Sequence, residues 1–97
     1  MFLYNVSLII EDSIHLELLD YTKKVLQQHP DSTLKLLKML HSPHEGQTYC
    51  LQAVVNSEVD IEGLRELVIR KIQEQINARH PEKAFLFESI MQYIPHD

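Results

Sequence analysis

Thr33-Leu34-Lys35-Leu36-Leu37-Lys38-Met39-Leu40-His41, followed by Ser42-Pro43-His44-Glu45-Gly46, is the stretch on which the fold turns. Its leucines fit a helix or a strand equally well, and the residues after it decide between them. Pro43 to Gly46 is a turn cluster. Beyond it, Tyr49, Leu51, Ala53 and Val55 alternate with Cys50, Gln52 and Val54 as far as Asn56. Period two marks a strand, and a short turn between two strands makes a hairpin. The spacing therefore predicts a strand over residues 36–42, with a helix ending in the same turn as the alternative.

Working outward, Phe2, Tyr4, Val6, Leu8 and Ile10 alternate with Leu3, Asn5, Ser7 and Ile9, which predicts a first strand. Asp12 or Ser13 is placed to cap a helix by accepting hydrogen bonds from its free amides. Ile14, Leu18, Tyr21 and Val25 then form one apolar stripe, flanked by Leu19 and Leu26, that ends near Gln28 before His29-Pro30. After the hairpin, Ser57-Glu58-Val59-Asp60 has the shape of a capping box. Ile61, Leu64, Val68, Ile72 and Ile76 make the stripe of a second helix, widened by Leu67 and Ile69, with Glu62, Glu66 and Arg70 opposite. His80-Pro81 closes it. A last strand is expected from Ala84 to Ile94, with Phe85, Phe87, Met91 and Tyr93 on one parity and Leu86, Glu88, Ile90 and Gln92 on the other. Pro95-His96-Asp97 is read as a tail. The order β-α-β-β-α-β predicts an α+β, ferredoxin-like domain over residues 1–97. Its four-stranded antiparallel sheet would have the first and third strands central and both helices on one face.

Composition bounds the function. The chain has 97 residues, 44 % apolar and 24 % charged, which fits a small folded domain and not a disordered chain. No apolar run approaches the roughly 20 residues of a membrane-spanning helix. The net charge of −5 opposes a phosphate backbone, and the basic residues are scattered, so nucleic acid is not expected as a partner. RNA recognition on the sheet would also need exposed aromatics, and the alternation assigns those to the core side. Cys50 is the one cysteine and cannot form an internal disulfide. The N-terminus reads as a strand and not as a signal peptide, so a cytoplasmic location is expected.

The sheet is the feature with functional content. The parity of Tyr4 and Val6, joined by Tyr49, Leu51, Phe85, Phe87, Met91 and Tyr93, is expected to face the helices. The other parity offers Leu3, Ile9, Cys50, Val54, Leu86, Ile90 and Ile94, and an ordinary one-sided sheet would be polar there. Such a face covers roughly 400 Å² at standard strand spacings, and apolar patches of that size mark interaction surfaces. Two meeting faces would bury roughly 800–1,000 Å², the lower edge of a specific interface, so a homodimer through the sheet face is expected. Asn5, Ser7, Gln52 and Glu88 would form the polar centre of that face, a candidate binding site for a small-molecule ligand.

The sequence assigns no catalytic residue and no cofactor. There is no Gly-x-Ser-x-Gly elbow, and two glycines, Gly46 and Gly63, do not make a phosphate loop. His41 and His44 with Glu45 are too few ligands for a zinc or iron site. His15, His29 and His80 are read as solvated. Glu88 is the best acid–base candidate, since an apolar face would raise its pKa.

Met1-Phe2-Leu3-Tyr4-Asn5-Val6-Ser7 and Gly46-Gln47-Thr48-Tyr49-Cys50-Leu51-Gln52 resemble a bacterial family of short proteins, seen mainly in Bacteroidetes, that is a domain of unknown function. Ser7 and Cys50 stand where that family has threonine and serine. The resemblance implies the same fold and no chemistry. At greater distance the order is similar to the dimeric α/β-barrel superfamily. That likeness implies an alternative function, a cofactor-independent small oxygenase or isomerase working in a cleft beside the sheet.

Overall fold

Alternation at the N-terminus produces β1 (Phe2–Ile10), whose Tyr4, Val6, Leu8 and Ile10 are buried while Leu3, Asn5, Ser7 and Ile9 are half-buried. The computed structural model describes residues 1–96; the last residue of the expected tail, Asp97, lies outside the described residues. A 3₁₀ turn over Asp12–Ile14 leads into α1 (His15–Gln28), and a second turn over Pro30–Ser32 leads into β2 (Lys35–Lys38). The deciding stretch is thus a strand, but shorter than expected. Met39 adds one more bond, its N–H donating to Thr48 O at 2.9 Å. The chain then leaves the ladder for a loop that Ser42 Oγ ties to Thr48 Oγ1 at 2.8 Å.

β3 (Gln47–Val55) follows, then a continuous helical rod made of α2 (Glu58–Leu64), a π-helical turn (Arg65–Ile69) and α3 (Arg70–Arg79), and finally β4 (Ala84–Gln92). The sheet order is β2-β3-β1-β4 with every neighbour antiparallel. The first and third strands are central, as expected. The helices bury Leu18, Val25, Ile61, Leu64, Val68, Ile72 and Ile76 against Tyr4, Val6, Leu8, Ile10, Leu51 and Val55. This is the ferredoxin-like arrangement.

Two expected caps are absent. Ser57 has no side-chain bond to the helix it precedes, and Ser13 Oγ donates instead to Glu11 Oε1 at 2.8 Å. The π turn has a sequence cause. Leu64, Val68, Ile72 and Ile76 recur every four residues, and each such step on a regular α-helix drifts about 40°. A widened turn absorbs that drift, and all four side chains are buried.

Candidate functional site

The main correction concerns β4. Its register places Tyr4 opposite Ile90, Val6 opposite Glu88, Leu8 opposite Leu86 and Ile10 opposite Ala84. Residues directly opposite share a face, so Ala84, Leu86, Glu88 and Ile90 lie on the helix side. Phe85, Phe87 and Met91 lie on the open face, the reverse of the expected parity. Ala84 takes the buried seat beside Ile10. The strand is apolar on both parities, so alternation alone did not distinguish its faces.

Glu88 therefore sits apart from the other site residues. Tyr4, fully buried, donates its hydroxyl to Glu88 Oε2 at 2.6 Å. Arg65 Nε donates to both carboxylate oxygens at 2.9 and 3.1 Å, and its guanidinium also pairs with Glu62. The Arg65 hydrogen bonds hold the Glu88 carboxyl below the usual carboxylate range, against the opposing effect of partial burial. This reverses the raised pKa expected on an apolar face. Burial first, and then the bond to Glu88, push the Tyr4 hydroxyl well above its ordinary value. Glu88 is held as an ionised structural anchor between β4 and the helical rod.

Asn5, Ser7 and Gln52 do come together. Asn5 is opposite Gln52 and Ser7 opposite Cys50 on the paired central strands. Gln52 Nε2 donates to Asn5 Oδ1 at 3.0 Å, and Asn5 Nδ2 donates to Ser7 Oγ at 3.3 Å. Ser7 Oγ lies 3.9 Å from Cys50 Sγ. The result is a polar strip down the middle of the open face. Leu37, Val54, Phe85, Phe87, Met91 and Tyr93, all roughly half-exposed, surround it. A shallow groove of about 360 Å³ runs from Leu3 and Gln52 to Lys35 and Leu37 at one end of the strip.

Three histidines differ from the expectation of solvation. His15 stacks on Tyr49, its Nε2 2.6 Å from the phenol oxygen, and burial raises the Tyr49 pKa. Lys71 Nζ donates to His29 Nε2 at 2.9 Å. His80 is 3 % exposed, with Nε2 lacking a hydrogen-bond partner and Glu17 at 4.0 Å. His41 and His44 lie exposed around the loop after β2, and no group of three metal-ligating side chains is assembled among the described residues. None of the described helices is long and apolar enough to cross a membrane.

An antiparallel β2-β3-β1-β4 sheet with its helices on one side defines a ferredoxin-like α+β protein. The chain belongs to the DUF4286 family, a domain of unknown function, whose family model matches residues 1–94. Among solved structures it is similar to a dimeric ferredoxin-like protein from an uncultured marine organism. The two are 10 % identical over 99 % of this chain and 96 % of that chain, with a TM-score of 0.58. It is similar more loosely to the apo form of CPII, a nitrogen regulatory PII-like protein from Thiomonas intermedia K12. That match is 13 % identical over 96 % and 92 % of the two chains, with a TM-score of 0.46. At 10 % identity the likeness to the marine protein is one of fold. No curated protein matches the chain.

Proposed function

We propose that the chain works as a homodimeric binding domain in which two copies bring their open sheet faces together, with the Asn5–Ser7–Gln52 strip as a ligand cleft between them. The observation that carries this reading is the ring of half-exposed Leu37, Val54, Phe85, Phe87, Met91 and Tyr93 on the face the helices leave bare. Three nine-residue strands and one of four span roughly 500 Å² at standard spacings. Two such faces bury about 1,000 Å², enough for a modest specific interface. The dimeric state named for the ferredoxin-like protein from the marine organism supports it. The corrected register strengthens it, because three aromatic rings replace aliphatic side chains on that face, and aromatic anchors dominate interface energetics. The same rings remove one objection to RNA, and the net charge of −5 with its scattered basic residues still opposes nucleic acid. A cofactor-independent enzyme in this cleft loses its acid–base group, since Glu88 is committed to Arg65 on the other side. The lone thiol fits a reducing compartment, and we place the domain in the cytoplasm.

Sedimentation across a dilution series tests the association. The wild type is expected to run as a dimer or a larger assembly at high micromolar concentration. Val54→Asp, which puts a charge on an exposed position of β3, is expected to weaken association by about tenfold or more. A wild-type chain that sediments as a monomer throughout defeats the proposal.

A further inference from the structure

The edges of the sheet are unlike one another. β2 closes one side with four residues, of which Lys35 and Lys38 are charged. Short, lysine-bearing edges are the usual defence against pairing with another chain. β4 closes the other side with nine residues, Ala84-Phe85-Leu86-Phe87-Glu88-Ser89-Ile90-Met91-Gln92. It has no lysine, arginine, proline or glycine, and its register with β1 runs unbroken without a bulge.

The hydrogen-bond parity of β4 follows from its ends. Glu11 N–H donates to Lys83 O at 2.9 Å, and Tyr93 N–H donates to Met1 O at 3.1 Å. Both pairs extend the β1–β4 register and both use odd-numbered residues of the last strand. Bonded and unbonded pairs alternate along an antiparallel ladder. The odd residues therefore bond β1, and the N–H and C=O groups of Ala84, Leu86, Glu88, Ile90 and Gln92 point outward from the sheet.

We propose that β4 pairs antiparallel with β4 of a second copy of this chain, about a two-fold axis at Glu88, making one sheet across two molecules. This edge contact is separate from the face contact above and does not depend on it. An axis normal to the sheet sets Ala84 opposite Gln92, Phe85 opposite Met91, Leu86 opposite Ile90 and Phe87 opposite Ser89. Phe85 and Met91 are both half-exposed, and sulfur–aromatic pairs are favourable. Leu86 with Ile90 is an apolar cross-strand pair on the helix side. Glu88 meets its own copy, where bare carboxylates would repel. Here each arrives with Arg65 already on it. The outward groups can exchange about ten backbone bonds across the axis. A strand from an unrelated protein would need its own matching sequence, whereas β4 supplies the complement to itself.

Amide hydrogen exchange of the wild-type chain, measured residue by residue at high and low concentration, reads the contact directly. Amides of Leu86, Glu88 and Ile90 are expected to exchange about tenfold more slowly at the high concentration. Those of Phe85, Phe87, Ser89 and Met91 should be protected at both. Ile90→Pro removes an outward N–H while leaving the bonds to β1, a placement that edge strands tolerate. It is expected to lower the mass measured by light scattering to that of whatever the faces alone assemble. Even-numbered amides that exchange equally fast at every concentration, or an Ile90→Pro chain of unchanged mass, overturn the edge contact. Val54→Asp is expected to leave the even-numbered protection in place, so loss of the face contact and loss of the edge contact are read separately.

Discussion

At the scale of residues, Glu88 shows how one partner changes the meaning of a side chain. Its pKa is lowered in the fold by Arg65, so its stabilising effect is present above the unfolded value near about 4.3 and fades as pH falls through the lower folded value. Glu88→Gln is expected to cost about 1 kcal/mol at neutral pH, a figure reduced for solvent screening because both partners are about one-third exposed. The difference from wild type should vanish in acid, as chemical denaturation at pH 7 and below pH 4 would show. The glycines make a contrasting pair. Gly46 has φ +80°, and a Cβ there would strike the carbonyl of Ile10, whereas a Cβ on Gly63 meets open space within α2. Gly46→Ala is expected to lose about 2 kcal/mol or more. Gly63→Ala should gain about 0.5–1 kcal/mol from helix propensity. Thermal melts of the two variants shifting in the same direction would contradict this account.

At the scale of elements, legibility in the sequence tracked contrast between faces. β1 alternates buried and half-buried positions, and the helical stripe Ile61 to Ile76 is one-sided; β3 buries its inward Tyr49, Leu51, Ala53 and Val55 as expected, although Thr48 and Cys50 of the other parity are buried too. β4 carries Phe85, Leu86 and Phe87 in succession, which leaves no polar parity to mark the outside. Its face was fixed by register with Ile10 and by the Arg65 clamp, both set by distant segments. The π turn was present in the sequence as repeated four-residue spacing. Deleting Leu67, an exposed residue within it, is expected to restore a regular helix and leave a cooperative, folded chain. Deleting Gln73 from α3 should not, because Ile76 would rotate about 100° off the core. Circular dichroism and melting of the two deletion chains separate these outcomes.

At the scale of the whole molecule, the candidate site was half legible. Asn5, Ser7 and Gln52 were found together because they lie on central strands whose pairing the element order dictates. Glu88 was misplaced with the strand that carries it, and the aromatic residues of the open face were misplaced for the same reason. The corrected surface makes size the property to measure first. If the face and edge contacts both form, each by its own two-fold axis, the chain should assemble beyond a dimer. Val54→Asp and Ile90→Pro should each remove one of the two contacts, and the double variant should be monomeric by sedimentation.

The central position of β1 has a consequence for biogenesis. Phe2 is matched to Gln92, and both flanks of the earliest strand are filled only by later ones. Within this domain ribosomal synthesis delivers β1 first and β4 last, so the nascent polypeptide carries an unsatisfied strand until β4 has emerged. Emergence of β4, and not of any earlier segment, then becomes the moment at which the sheet closes, and holdase chaperones have their longest opportunity on β1.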